Sequence, residues 1–104
     1  MAQFDVHKNL GPGRNAIPFL LVVQSDRYEG TNFRVVAPLV SRARLRAIER
    51  TLNPVFVVEG QEVVMDPLQL FTLPAKALGS KVACLAGSRD MIVRAIDDML
   101  VAGR

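Results

Sequence analysis

The chain has 104 residues, half of them apolar, and a formal net charge of +3 at neutral pH. That length supports one modest core and excludes an enzyme with separate cofactor and substrate domains. The composition excludes a disordered chain, and the longest apolar run, AIPFLLVV at 16–23, is far shorter than the ~20 residues of a membrane helix. We therefore expect one domain over 1–104, located in the cytoplasm.

Short strands separated by turn residues dominate the first part of the chain. QFDVH at 3–7 predicts the first strand, and the segment 9–16 predicts a loop because two of its glycines flank a proline. FLLVVQ at 19–24 and NFRVVAPL at 32–39 have the β-branched and apolar content of buried strands. With a turn at 29–31, these two strands predict a hairpin.

A second hairpin is predicted at 54–65, PVFVVEGQEVVM. Glu59 and Gly60 lie between its two apolar runs, and a glycine supplies the positive φ that tight hairpin turns require. Pro54 is expected at a strand start or edge, because proline has no amide proton to donate to a neighbouring strand. The following stretch 65–74, MDPLQLFTLP, predicts a short strand or extended piece.

A basic segment, SRARLRAIER at 41–50, separates the two predicted hairpins. Ser41 is suited to cap a helix at this point. Apolar residues recur at helical spacing on one side: Leu45, Ile48 and Leu52. Three arginines would then face outward: Arg42, Arg46 and Arg50. Such a segment attracts nucleic-acid phosphates or an acidic protein segment, and a solvated helix face is the alternative interpretation.

One long helical pattern is predicted near the end of the chain, over 89–101, and it ends near Gly103. Ser88 is a natural N-cap, and Asp90 favours the helix dipole in the first turn. An apolar stripe lies on one side of this helix: Ile92, Ile96, Met99 and Leu100.

Catalytic and metal-binding patterns are scarce. His7 is the only histidine and Cys84 the only cysteine, so neither a metal cluster nor a Ser-His-acid arrangement has support, and no cofactor is expected. We interpret His7 as structural or merely exposed and Cys84 as a small core residue. Asp97 and Asp98 are interpreted as solvent charges, because adjacent helical residues point about 100° apart. The residues alone indicate a small β-rich binding domain, not an enzyme.

Several stretches resemble, in order and spacing, the pattern of the CcdB toxin family. They are VVQSD at 22–26, VAPL at 36–39, SRARL at 41–45, NPVFVVEG at 53–60, LPAKALG at 73–79, VACL at 82–85 and IDDM at 96–99. The resemblance covers nearly the whole chain. It implies a mainly β domain with an antiparallel sheet, similar to the SH3-like barrel of the MazF and Kid toxins, with a C-terminal helix and a homodimer.

The resemblance also implies a toxin. CcdB-like toxins bind the A subunit of DNA gyrase and trap its cleaved complex with DNA, and a CcdA-like antitoxin neutralises them through a disordered segment that folds on binding. Neither a membrane nor specific binding to nucleic acid is implied. The apolar stripe of the helix is wider than one barrel end is expected to cover, which assigns three residues to the dimer interface: Ile96, Met99 and Leu100. An acidic antitoxin tail gains charge-assisted hydrogen bonds from three arginines: Arg42, Arg46 and Arg50.

The end of the predicted helix departs from the family pattern. The best-known members end in Trp-Gly-Ile, which contacts gyrase, whereas 101–103 here reads Val-Ala-Gly. Replacing the tryptophan by valine removes on the order of 2 to 4 kcal/mol of binding. After QSD, Arg27 and Tyr28 replace an apolar pair of the family, so Tyr28 is an alternative aromatic anchor or a packing lid. The gyrase contacts transferred by position are Arg27, Tyr28, Asp97, Leu100, Val101, Ala102 and Gly103.

Two other functions stay open. The missing tip fits a CcdB-like dimeric binding protein that has lost gyrase poisoning or has another target. A ribonuclease on the related MazF-type fold is supported only by the arginine cluster. Cleavage of RNA by the purified protein separates this second alternative from the two binding functions.

Overall fold

The computed structural model describes residues 2–101, and its main feature is a curled antiparallel sheet of seven strands. The strands are β1 (Asp5–Lys8), β2 (Phe19–Val22), β3 (Phe33–Ser41), β4 (Val55–Val58), β5 (Gln61–Met65), β6 (Phe71–Pro74) and β7 (Lys81–Cys84). Their order is β4-β5-β3-β2-β1-β7, with β6 paired to the first half of β3. One α-helix, α1 (Arg89–Leu100), closes the described part. A mainly antiparallel sheet with a C-terminal helix confirms the predicted fold class.

Both faces of the sheet bury apolar side chains. The larger core lies under α1, which contributes Ile92 and Ala95, both fully buried. The sheet residues of this core are Val6, Phe19, Leu21, Ala37, Leu39, Phe56, Val58, Val63 and Met65. A smaller cluster on the opposite face contains Leu20, Val22, Val36 and Leu78. All four residues of β2 are buried, which confirms the prediction of a strand covered on both sides.

The hairpin of β4 and β5 is confirmed, and its turn has the expected geometry. Val58 pairs with Gln61, so Glu59 and Gly60 form a two-residue connection. Their φ angles are 51° and 74°, the combination of a type I′ turn. Pro54 directly precedes β4, at the strand start where it was expected.

The first strand starts two residues later than predicted, because Phe4 adopts the left-handed conformation with φ 70°. Such a φ is strained for an aromatic residue. It is held here by the burial of the ring, which is 3% exposed, and by a 2.6 Å hydrogen bond from the Phe4 amide to the Val22 carbonyl.

The sequence patterns did not predict the strand β7, and the exposure of Cys84 was therefore not predicted either. β7 is a sheet edge that pairs only with β1, where Cys84 lies opposite Asp5. The side chain of Cys84 is exposed, so its interpretation as a core residue is wrong. A four-residue edge strand has too few residues for its alternation to show which side is covered.

The predicted helix in the basic segment is also wrong. Only Arg42–Arg44 form a short 3-10 helix, and Leu45 is already extended, with φ −113° and ψ 136°. Ser41 ends β3 instead of capping a helix with its side chain. Leu45 and Leu52 line a depression beside Val40 and Val64 of the sheet. Two of the three apolar residues at helical spacing therefore lie beside the sheet without forming a helix.

The last helix agrees with its prediction to within one residue. α1 begins at Arg89, directly after Ser88, but the Ser88 side chain makes no capping hydrogen bond. The stretch 65–74 contains a short 3-10 helix, Pro67–Gln69, before β6. Gly103, the predicted end signal, lies outside the described residues.

Candidate functional site

The C-terminal end of α1 presents accessible side chains. Asp97 is exposed, and the Val101 amide donates to its backbone carbonyl at 2.8 Å, which closes the last turn. Leu100 is 67% exposed and Val101 49% exposed, so this end offers two aliphatic side chains beside one carboxylate. Ala102 and Gly103, which were also assigned to the gyrase contact, lie outside the described residues.

The apolar stripe of α1 is divided between the core and the surface. Ile92 is fully buried in the main core, and Ile96 packs against it. Met99 is half-buried, whereas Leu100 points outward. Of the three residues assigned to a dimer interface, Ile96 is therefore largely used within its own chain, and Met99 and Leu100 are more available to a second copy.

The loop between β2 and β3 carries Arg27 and Tyr28 in a short 3-10 helix, Asp26–Tyr28. The Arg27 amide donates to the Ser25 hydroxyl at 3.2 Å. The Arg27 guanidinium lies 5.9 Å from the centre of the Tyr28 ring, and this ring is 53% exposed. Tyr28 is therefore an accessible aromatic side chain beside a positive charge, which favours the aromatic anchor over the packing lid.

Two polar side chains, Gln24 before the loop and Arg34 after it, hold this loop through hydrogen bonds to its backbone. The Gln24 amide nitrogen donates to the backbone carbonyls of Tyr28 and Phe33 at 3.1 and 3.2 Å. The Arg34 guanidinium donates to the carbonyls of Glu29, Thr31 and Phe33 at 2.6 to 2.9 Å. The position of Tyr28 thus depends on residues that the sequence interpretation did not single out.

A signal for Arg34 was nevertheless present in the sequence. Side chains alternate between the two faces of a strand, so Arg34 shares a face with Val36, Pro38 and Val40. All three of those residues are buried, and Arg34 is 7% exposed. The alternation therefore places a charged residue on a covered face, which is unusual enough to mark the position.

Contacts through the start of β1 connect the loop that carries Arg27 and Tyr28 to the start of α1. The Gln3 amide donates to the Asp26 carboxylate at 2.6 Å, which fixes the loop beside the start of β1. The neighbouring Phe4 ring lies 5.9 Å from the Arg89 guanidinium, at the start of α1. Twelve helical residues span about 18 Å. The Asp26 end of the Arg27–Tyr28 loop is thus joined through Gln3 and Phe4 to the start of α1, whereas Leu100 and Val101 lie at the other end of the helix.

The basic segment, defined here as 41–50, does not form one continuous charged face. Arg42 is half-buried and donates to the Leu45 carbonyl at 2.9 Å. Arg46 is exposed, and so is Arg50, which lines a shallow depression with Arg94 of α1. No ion pair involves these arginines among residues 2–101. Arg46 and Arg50 are therefore accessible cations, and Arg42 is partly occupied by its own loop.

The titratable groups of the sheet have structural partners. Asp5 is 3% exposed, and burial by itself raises the pKa of its carboxyl. The Ala2 amide at 2.9 Å and the Lys81 ammonium at 3.3 Å have the opposite effect. Together they outweigh burial, so the pKa of Asp5 lies below its ordinary value. His7 is buried, and its Nδ1 donates to the Gly79 carbonyl at 2.8 Å, which confirms a structural histidine.

Neither a metal site nor a membrane helix emerges in the part of the chain that the structure describes. Over 2–101, no three or more His, Cys, Asp or Glu side chains are grouped so that they could hold a metal ion. In the same range, no helix is long and apolar enough to cross a membrane.

In a comparison with protein-family models, residues 3–103 match the family described as CcdB protein. This range includes every strand, α1 and both loops that flank β3. A search of curated proteins found no match.

Proposed function

Because the chain belongs to the CcdB family, we propose that this toxin of a toxin–antitoxin module binds the A subunit of DNA gyrase and traps the cleaved complex of gyrase with DNA. The family match over 3–103 carries the proposal. The module is of type II, and a CcdA-like antitoxin neutralises the toxin in the cytoplasm. Trapping requires paired contact surfaces and no acid, base or nucleophile, so the protein acts by binding and not as an enzyme.

The proposed active form is a homodimer. The outer side of α1 supports it, because Leu100 is 67% exposed beside the half-buried Met99. An exposed aliphatic pair at the end of a helix is a suitable centre for a two-fold contact, in which each copy offers the same patch. Light scattering at micromolar concentration should show twice the chain mass of 11.4 kDa, and a particle of 11.4 kDa would refute the dimer.

The proposed gyrase surface consists of the end of α1 together with Arg27 and Tyr28. Val101 offers less apolar area than the tryptophan it replaces, so we expect weak poisoning of the gyrase of common laboratory bacteria. Tyr28, which is exposed and held beside Arg27, supplies an aromatic contact from the other part of the surface.

The experiment restores the family tip and compares it with the natural chain. The variant carries Val101→Trp, Ala102→Gly and Gly103→Ile, and ends there. Calorimetric titration against a gyrase A-subunit fragment should show binding tighter by about 30-fold to 1,000-fold, since a hot-spot tryptophan contributes on the order of 2 to 4 kcal/mol. Growth after induction of each version provides the cellular measurement.

Two results would change this assignment. Tight binding by the natural chain, lost in Tyr28→Ser but kept in Tyr28→Phe, would move the main contact from the helix end to the loop. Failure of both the natural and the restored version to bind would favour the second candidate, a CcdB-like dimer with another target. The observation behind that candidate is the Val-Ala-Gly sequence at 101–103.

The antitoxin is proposed to bind the basic segment. Arg46 and Arg50 are exposed and make no ion pair within 2–101, so they are available to carboxylates of an acidic tail. An adjacent reading frame that encodes a small protein with a DNA-binding N-terminus and an acidic, disordered C-terminus would support this pairing. Cleavage of RNA by the purified toxin would instead favour the ribonuclease.

A further inference from the structure

A cleft of about 740 Å³ lies where the loop before β3 meets the end of β6. Its wall is formed by 29–34 on one side and 74–76 on the other. Pairing of Phe33 with Pro74 and of Arg34 with Leu73 holds the two sides together. The cleft is therefore built on paired strands and is separate from the end of α1 and from the basic segment.

Arg34 in this wall is a buried cation without an anionic partner. It is 7% exposed, and no carboxylate of residues 2–101 lies within ion-pair distance of it. Its Nη1 and Nη2 atoms donate to three neutral carbonyls, those of Glu29, Thr31 and Phe33. Its buried Nε–H has no hydrogen-bond partner in this part of the chain. Carbonyl dipoles reduce the cost of burying the guanidinium but leave its charge unbalanced.

The other side chains of the cleft indicate which anion fits. Lys76 adds a second positive charge and Glu29 a negative one, so the lining carries one net positive charge. A monoanion neutralises that balance, whereas a dianion leaves a net negative charge beside Glu29. The Phe33 ring is 54% exposed beside Pro74 and forms an apolar wall next to the charges.

We propose that this cleft binds a monocarboxylate, with its oxygens near Arg34 and Lys76 and its apolar group against Phe33. A carboxylate oxygen would accept from the Arg34 Nε–H, the donor that the backbone carbonyls leave without a partner, in a charge-assisted hydrogen bond. The carboxylate belongs to a free organic acid or to the C-terminus of a peptide; both present the same group to the cleft. The cleft adjoins Tyr28 in the same loop, but it takes its ligand without gyrase, so its binding is measured separately from the proposed function.

The test is a titration of the full-length protein with phenylacetate, followed by the NMR signals of the Arg34 Nε–H and of the amides of 29–34. The shifts should saturate with a dissociation constant on the order of 1 mM, which is reasonable for a ligand of this size. Phenylacetamide has the same shape without the charge and should bind at least about fivefold more weakly. N-acetylphenylalanine represents a peptide C-terminus, and tighter binding of it than of phenylacetate would assign the peptide source.

Two exposed positions provide matched variants that keep Arg34 and the fold. Lys76→Gln should weaken phenylacetate binding by about twofold to fivefold, and Glu29→Gln should strengthen it by a similar factor, as expected for partly exposed charge pairs. Equal binding of phenylacetamide, the absence of saturable shifts, or tighter binding of inorganic phosphate than of phenylacetate would overturn the proposal. Affinities that are the same in both variants would also overturn it.

Discussion

The two loops that flank β3 both carry arginines, yet they use them in opposite ways. Arg34, near the start of β3, is buried; it donates to the carbonyls of Glu29, Thr31 and Phe33 and so fixes the β2–β3 loop around Tyr28. In the β3–β4 loop, Arg46 and Arg50 project into solvent. The difference comes from the position of each residue, because Arg34 lies within a strand on a covered face. An arginine can therefore hold a loop through hydrogen bonds to its backbone or remain a solvent-exposed charge, depending on whether its position is covered by the fold.

The largest expected effect comes from removing the buried arginine. Arg34→Ala should lower the free energy of unfolding by about 3 kcal/mol, because three backbone carbonyls lose their donor. The matched change in the other loop, Arg50→Gln, should alter it by less than about 0.5 kcal/mol. Urea unfolding of the two variants measures both values. Equal losses would show that the two loops do not differ in the way described.

Gln24 provides an intermediate test of how the β2–β3 loop is held. Gln24→Leu removes the donor to Tyr28 and Phe33 and the acceptor of the Val35 amide, which should cost about 1 to 2 kcal/mol. Gln24→Glu keeps an acceptor for Val35 and should lose less. Hydrogen exchange should also become faster at 27–33. Unchanged exchange there would mean that Arg34 alone orders the loop.

Asp5 extends the comparison of buried and exposed charges to the edge of the sheet. The folded-state pKa of its carboxyl lies below the ordinary 3.8, so ionised Asp5 stabilises the fold above that pH. This stabilisation is lost as the pH falls through the folded-state pKa. At pH 7, Asp5→Asn should lower the free energy of unfolding by about 1 kcal/mol, a modest value because Lys81 is largely exposed.

The pH dependence distinguishes this mechanism from loss of packing. The difference between Asp5→Asn and the natural chain should shrink when unfolding is measured in acid, well below pH 3.8. A difference that stays constant from neutral pH into acid would show that the charge of Asp5 is not the stabilising feature.

The smallest effect on stability is expected for the arginines of the basic segment. Replacing Arg42, Arg46 and Arg50 together by Gln should change the free energy of unfolding by less than about 1 kcal/mol. Association with the antitoxin should nevertheless become slower and less dependent on salt. Arg14→Gln, in the exposed loop after β1, is the control and should leave association unchanged. If the natural chain associates with the antitoxin at the same rate at low and high salt, the basic segment is a solvated surface and not the antitoxin site.

Local patterns predicted the elements whose geometry is locally determined. The turn at Glu59 and Gly60 follows from the conformational freedom of glycine, and the β4–β5 hairpin formed as expected. The pattern over 89–101 runs for three turns of helix, and α1 agrees with it at its start. In both cases, neighbouring residues along the chain supply the decisive interactions.

The predictions for the basic segment and for Cys84 failed because distant residues decide those positions. Helical spacing in the basic segment competes with placement of Leu45 and Leu52 beside Val40 and Val64, and Val64 comes from β5, beyond the intervening strand β4. Whether Cys84 is covered depends on β7 being an edge that pairs with β1 alone. No local pattern contains that information.

The sequence by itself determined the fold class, the second hairpin, the final helix and, through resemblance, the family. Periodicity and turn chemistry act between near neighbours, and these features depend on such interactions. Only the tertiary structure decided which arginine is buried, how Gln24 and Arg34 place Tyr28, and how the stripe of α1 is divided between core and surface. The burial of Arg34 and the division of the α1 stripe depend on contacts between segments distant along the chain, which sheet pairing and helix packing bring together. The hydrogen bonds of Gln24 and Arg34 around Tyr28 join near neighbours, but the folded loop decides which backbone carbonyls these side chains reach.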